Sequence, residues 1–170
     1  MRTLLFAALL LVAPIANAAH LRVHGLVTDA GTREPLADVL VRVYKDGVKL
    51  QSFTTGANGH YAMALENGGE YVIRFSMQGR VTKCYAVDTN GPSWENDGSM
   101  SDVEVEMTLF ERVDGLDLSY FDMPMGMARF TPMTGFLAWN ADYEARVKPE
   151  ADRLYAEVVA RRDRLAALTP

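Results

Sequence analysis

Between His20 and Leu109, apolar and polar residues trade places at every second position, and short clusters of turn-forming residues interrupt the alternation at close spacing. A period of two sends successive side chains to opposite faces, so each run predicts a half-buried β-strand. Leu21, Val23, Gly25 and Val27 mark the inner face of the first strand, and Val39, Val41 and Val43 that of the second. Asp46-Gly47 then turns the chain into a third, less regular strand from Val48 to Thr55. Tyr61, Met63 and Leu65 define a fourth, Tyr71, Ile73, Phe75 and Met77 a fifth, and Val81 to Asp88 a sixth. The seventh is the cleanest: Val103, Val105, Met107 and Leu109 face one way, Asp102, Glu104, Glu106 and Thr108 the other.

The turn between strands three and four, Thr54 to Tyr61, contains Asn58-Gly59. Both residues tolerate positive φ, so the pair predicts a type I′ hairpin. With Asp46-Gly47 it makes two hairpins in succession and predicts an antiparallel meander. Seven short strands at even spacing predict a two-layer sandwich.

After Phe110 the pattern changes. Residues 111–139 are rich in Met, Phe and Pro and predict an irregular strap over the sandwich. In residues 140–168, Tyr143, Val147, Leu154, Val158, Leu165 and Leu168 recur at helical spacing, which predicts an amphipathic helix packed on the sandwich. Pro149 either kinks that helix or opens its second half.

The N-terminus reads differently again. Met1-Arg2-Thr3, an apolar run from Leu4 to Ile15 and Ala16-Asn17-Ala18 form the pattern of a signal peptide, residues 1–18. The twelve-residue run falls short of the roughly 20 needed to span a bilayer, so no membrane span is expected after cleavage. The expected address is the periplasm or the outside of the cell, with residues 19–110 as the sandwich.

Losing Arg2 with the leader takes the 17 basic residues to 16 against 22 acidic ones, a net charge of −6. Such a chain offers no electrostatic footprint for nucleic acid. Cys84 is the single cysteine, so no intramolecular disulfide can form, and its apolar neighbours point to a buried thiol.

Gly25-Leu26-Val27-Thr28-Asp29, Glu34 to Val39, Val41 to Tyr44, Thr54 to Tyr61 and Gly69-Glu70-Tyr71 occur in an order that resembles the carboxypeptidase regulatory-like domain. The resemblance implies a mainly β fold, a seven-stranded antiparallel Greek-key β-sandwich of the prealbumin (transthyretin) type. It also implies a non-catalytic module for folding support or interaction, like free-standing bacterial envelope versions with a C-terminal extension.

His20 and His24 share a strand face about 13 Å apart and cannot hold one ion together. Ser93, Ser99, Ser101 and Ser119 lack a nucleophile elbow, and Gly56 to Gly59 lacks the Lys and helix of a phosphate loop. No catalytic residue, metal site or cofactor is therefore expected. Two alternatives carry a ligand: a glycan stacked on Trp94 in the polar loop from Thr89 to Ser101, or Cu(I) on the thioethers of Met123, Met125 and Met127. The main expectation is a non-catalytic periplasmic or secreted module whose partner is an envelope protein.

Overall fold

The computed structural model describes residues 20–91, 101–130 and 137–168. The signal-peptide pattern and Trp94 lie outside them. Within the described residues, ten strands form two facing sheets: β1 (His20–Asp29), β2 (Leu40–Lys45), β3 (Val48–Thr54), β4 (His60–Glu66), β5 (Glu70–Ser76), β6 (Lys83–Asp88), β7 (Ser101–Glu104), β8 (Met107–Leu109), β9 (Pro124–Phe130) and β10 (Leu137–Trp139). The narrow sheet runs β4-β1-β7, with β8 continuing beside β1, and the wide sheet runs β10-β9-β6-β5-β2-β3. One helix, α1 (Ala141–Leu168), closes the chain.

The sandwich and its helix follow the alternation. Leu21, Val23, Val27, Val41, Val43, Tyr61, Met63, Leu65, Tyr71, Ile73, Phe75 and Leu109 all turn inward into one core. The expected all-antiparallel pattern needs correction, because β7 and β8 run parallel to β1 and β9 runs parallel to β6. β7 and β9 are each reached by a connection from the opposite sheet, which can return the chain in the same direction, and β8 continues the course of β7. The expected count of seven also rises. β7 and β8 divide the predicted seventh strand, and the strap adds β9 and β10 around a short 3₁₀ helix at Ser119–Asp122.

The meander is a second correction. β2 and β3 pair through Asp46-Gly47, whose φ values of 50° and 80° belong to a type I′ turn, but β3 and β4 lie in different sheets. At Gly56 to His60 the chain does double back: the Gly59 N–H donates to Gly56 O and the Gly56 N–H to His60 O. Positive φ falls on Gly59 (75°) and not on Asn58. The turn is a corner between sheets, fixed where a Cβ on Gly59 would meet Val27 O at 2.7 Å. Buried Thr55 secures the corner: its hydroxyl donates to Leu36 O (2.8 Å) and accepts the Val39 N–H (3.0 Å).

The seventh strand breaks at Val105-Glu106. There the Val105 carbonyl leaves the ladder and accepts the Tyr61 hydroxyl at 2.7 Å. The helix is continuous through Pro149, and Asn140 caps it by accepting the Tyr143 N–H at 3.1 Å. Val147, Leu154 and Val158 are buried; the last two join Phe110, Val113, Leu118 and Phe121 in a second core between helix and sandwich. The far end of the predicted stripe is different, since Leu165 and Leu168 are exposed.

Candidate functional site

β6 and β8 belong to opposite sheets and approach one another at the end of the sandwich that α1 crosses. Lys83, the first residue of β6, has the parity of the inward residues Tyr85 and Val87, so its side chain enters the gap between the sheets. Its ammonium donates to Thr108 O at 2.9 Å and to Thr108 Oγ1 at 3.4 Å. The rings of Phe110 and Phe121 lie 5.7 and 5.8 Å away, in cation–π range. Burial pushes the Lys83 amine down to about 8. Among the described residues no carboxylate reaches ion-pair distance of it.

Two cavities open on this amine. One, of about 430 Å³, lies toward the helix and is lined by Arg33, Phe110, Phe121, Glu144, Val147 and Asp152 besides Lys83. The other, of about 320 Å³, lies toward Tyr85, Glu104, Glu106 and Trp139. Lys83, Thr108, Met125 and Glu144 line both. The rings of Phe110 and Phe121 beside the Lys83 ammonium give the cleft both hydrocarbon wall and a cation.

The residues singled out from the sequence are scattered. Met125 reaches the cleft, whereas exposed Met123 and half-buried Met127 line neither cavity. The cause is a register slip in β9, where Cys84 pairs with Pro124 but Ala86 pairs with Met127, so the thioethers do not keep strict alternation. Trp139 is exposed on β10, with its ring edge-on to Tyr85 at 6.0 Å. His24 faces Asp102 at 3.8 Å on the outer surface, and His60 is exposed at the start of β4. Cys84 is buried behind the 3₁₀ helix, its thiol pushed up by burial and donating to Asp122 O at 3.4 Å.

Tyr85 lines the second cavity, and a second inward phenol, Tyr61, lies behind it. The Tyr61 and Tyr85 hydroxyls are 3.3 Å apart, and burial pushes Tyr61 up to about 12 and Tyr85 well above its ordinary value. Both are neutral hydrogen-bonding groups at physiological pH. Among the described residues no group of three or more His, Cys, Asp or Glu could hold a metal ion, and no helix is long and apolar enough to cross a membrane.

The sequence reading missed Lys83, although a signal was present: a lysine two residues before Tyr85 and four before Val87 sits on the inward parity of its strand. Its burial has a measurable consequence. Because the folded value lies below the ordinary 10.5, the unfolded chain binds more protons between about pH 8 and 10.5, and stability rises with pH across that window. Below pH 8 the full penalty applies. Lys83→Met is therefore expected to be more stable than the parent at pH 7 by about 1 kcal/mol, after loss of the Thr108 bonds is offset. Thermal melts at pH 7 and pH 10 should show the difference shrinking; a less stable variant at pH 7 would contradict it.

Two facing sheets, a helix laid across one end and a mixed polar cleft define the class as a β-sandwich module. Residues 22–96 match the family model of the carboxypeptidase regulatory-like domain. No curated protein matches the chain. Similar solved structures include the TIE protein of Bacillus anthracis (12% identity, TM-score 0.45, 55% of this chain and 18% of that one). The full-length major pilin SpaD of Corynebacterium diphtheriae is similar at 12% identity and a TM-score of 0.41, over 56% of this chain and 31% of that one. The dioxygenase domain of a dioxygenase carbohydrate-binding protein fusion from Streptomyces sp. SirexAA-E is similar at 13% identity and 0.43, over 59% and 86%. The chain thus spans less than two thirds of the Bacillus and Corynebacterium proteins. Likeness this distant transfers no activity.

Proposed function

We propose that the protein is a non-catalytic module of the periplasm or cell surface that works by contact with another envelope protein. The observation that carries this reading is the outer edge of the wide sheet. β3 pairs with β2 on one side, and among the described residues no strand covers the other. Val48 and Leu50 on β3 are 66% and 55% exposed. Open backbone N–H and C=O groups beside apolar side chains form a template for strand addition, a liability that proteins otherwise blunt. The occupant suited to it is an extended, largely apolar segment of the partner. The match of residues 22–96 to the regulatory-like family model supports a module of this kind, and the leader pattern supports the address.

The test substitutes Val48→Lys and Leu50→Lys together. Both side chains are exposed, so stability should stay within about 0.5 kcal/mol of the parent. A partner captured from an envelope extract by the parent protein, and crosslinked at Lys49, should be lost with the double variant. Capture indifferent to these substitutions would overturn the reading.

A further inference from the structure

The cleft at Lys83 is independent of the β3 edge. Five charged side chains line its helix-side cavity: Arg33, Lys83 and Lys148 against Glu144 and Asp152. Arg33 is bonded to Glu106 at 2.5 Å and Lys148 to Asp152 at 2.6 Å. That leaves Lys83 as the cation, and Glu144 as the acid, without an ion pair among the described residues, so the cavity is close to neutral overall. The adjoining cavity is acidic, with Lys83 facing Glu104, Glu106 and Glu144 beside the neutral phenol of Tyr85. For an anion, the helix side is therefore the less repulsive of the two approaches to Lys83.

The Lys83 ammonium has three N–H donors, and the two oxygens of Thr108 leave one for a ligand. One donor in apolar surroundings suits a single negative charge. A phosphate would bring a second charge with no cation to meet it. The remaining walls, Phe110, Phe121, Met125 and Val147, offer hydrocarbon contact, and about 430 Å³ falls within the usual size of small-molecule sites.

We propose that this helix-side cavity binds a small amphipathic carboxylate, its anion on Lys83 Nζ and its hydrocarbon against Phe110, Phe121, Met125 and Val147. Binding supplies the counter-charge that the fold withholds from Lys83.

Octanoate and 1-octanol serve as probes, titrated into the purified protein and followed by NMR of the Lys83 side chain and the Met125 and Val147 methyl groups. Octanoate should shift all three saturably, raise the Lys83 titration midpoint by about one unit, and bind about tenfold more weakly to Lys83→Met. Octanol should leave that midpoint in place. Ala151→Trp, which fills the cavity from the half-buried helix face, should abolish binding and keeps the test available if Lys83→Met fails to fold. Octanol binding as tightly as octanoate, shifts confined to other residues, absence of binding at millimolar octanoate, or full affinity in the filled variant would each overturn the proposal.

Discussion

Gly25→Ala is expected to destabilise the protein by about 3 kcal/mol, or roughly 10 °C in melting temperature. Gly25 is buried in the middle of β1, and a Cβ there would stand 1.9 Å from Val105 O and 2.7 Å from Val105 C. Those atoms belong to the backbone between β7 and β8, which no rotamer change can move aside. The Val105 N–H also donates to His24 O at 2.8 Å, and Val105 O accepts the Tyr61 hydroxyl. One methyl group therefore disturbs the ladder and leaves a buried acceptor short of its donor. Tyr61→Phe, which removes only that hydroxyl, should cost about 1 kcal/mol. Denaturant unfolding of both variants separates the effects; an alanine variant within 0.5 kcal/mol of the parent would contradict this packing.

The second large effect lies at Asp29 and Arg80. Their side chains form an ion pair with 15% and 16% exposure, joining the end of β1 to the connection between β5 and β6. Burial by itself would raise the Asp29 carboxyl, but the Thr32 N–H, the Arg80 guanidinium and the Gly31 N–H outweigh it and hold the group at about 2. Arg80→Met leaves that carboxylate without its cation and is expected to cost about 3 kcal/mol at pH 7. Because the folded value is depressed from 3.8, the contribution is present above that value and lost as pH falls through about 2. The gap between variant and parent should therefore narrow on acidification from pH 5 toward pH 2. A gap constant over that range would show that the lost stability came from packing and not from the charge pair.

Face assignments were legible where burial alone decides them. Val39, Val41 and Val43, and likewise Tyr61, Met63 and Leu65, alternate because each strand has one wet side. Pairing partners were less legible, because alternation says which side of a strand is dry and not which strand lies beside it. Asn58-Gly59 is compatible with a hairpin, and what draws β4 away from β3 is a set of distant groups at Val27, Leu36 and Val39. β9 was hidden because its slipped register and its Pro and Gly residues break the two-residue period. Lys83 was visible by parity, yet its isolation from any acid depends on how α1 and β8 approach it. Asp29 and Arg80, 51 residues apart, share no local pattern at all.

The parallel pairing of β1 with its last neighbours bears on how the chain comes together in time. Leu21 lies opposite Ser101 and Val27 opposite Met107, a constant separation of 80 residues. Contacts so remote in sequence demand a large loop closure before they return any stabilisation, and proteins dominated by them fold slowly. Until Ser101 to Leu109 has docked, one flank of β1 is an unprotected ribbon. A nascent chain interrupted before that point would be prone to self-association through it.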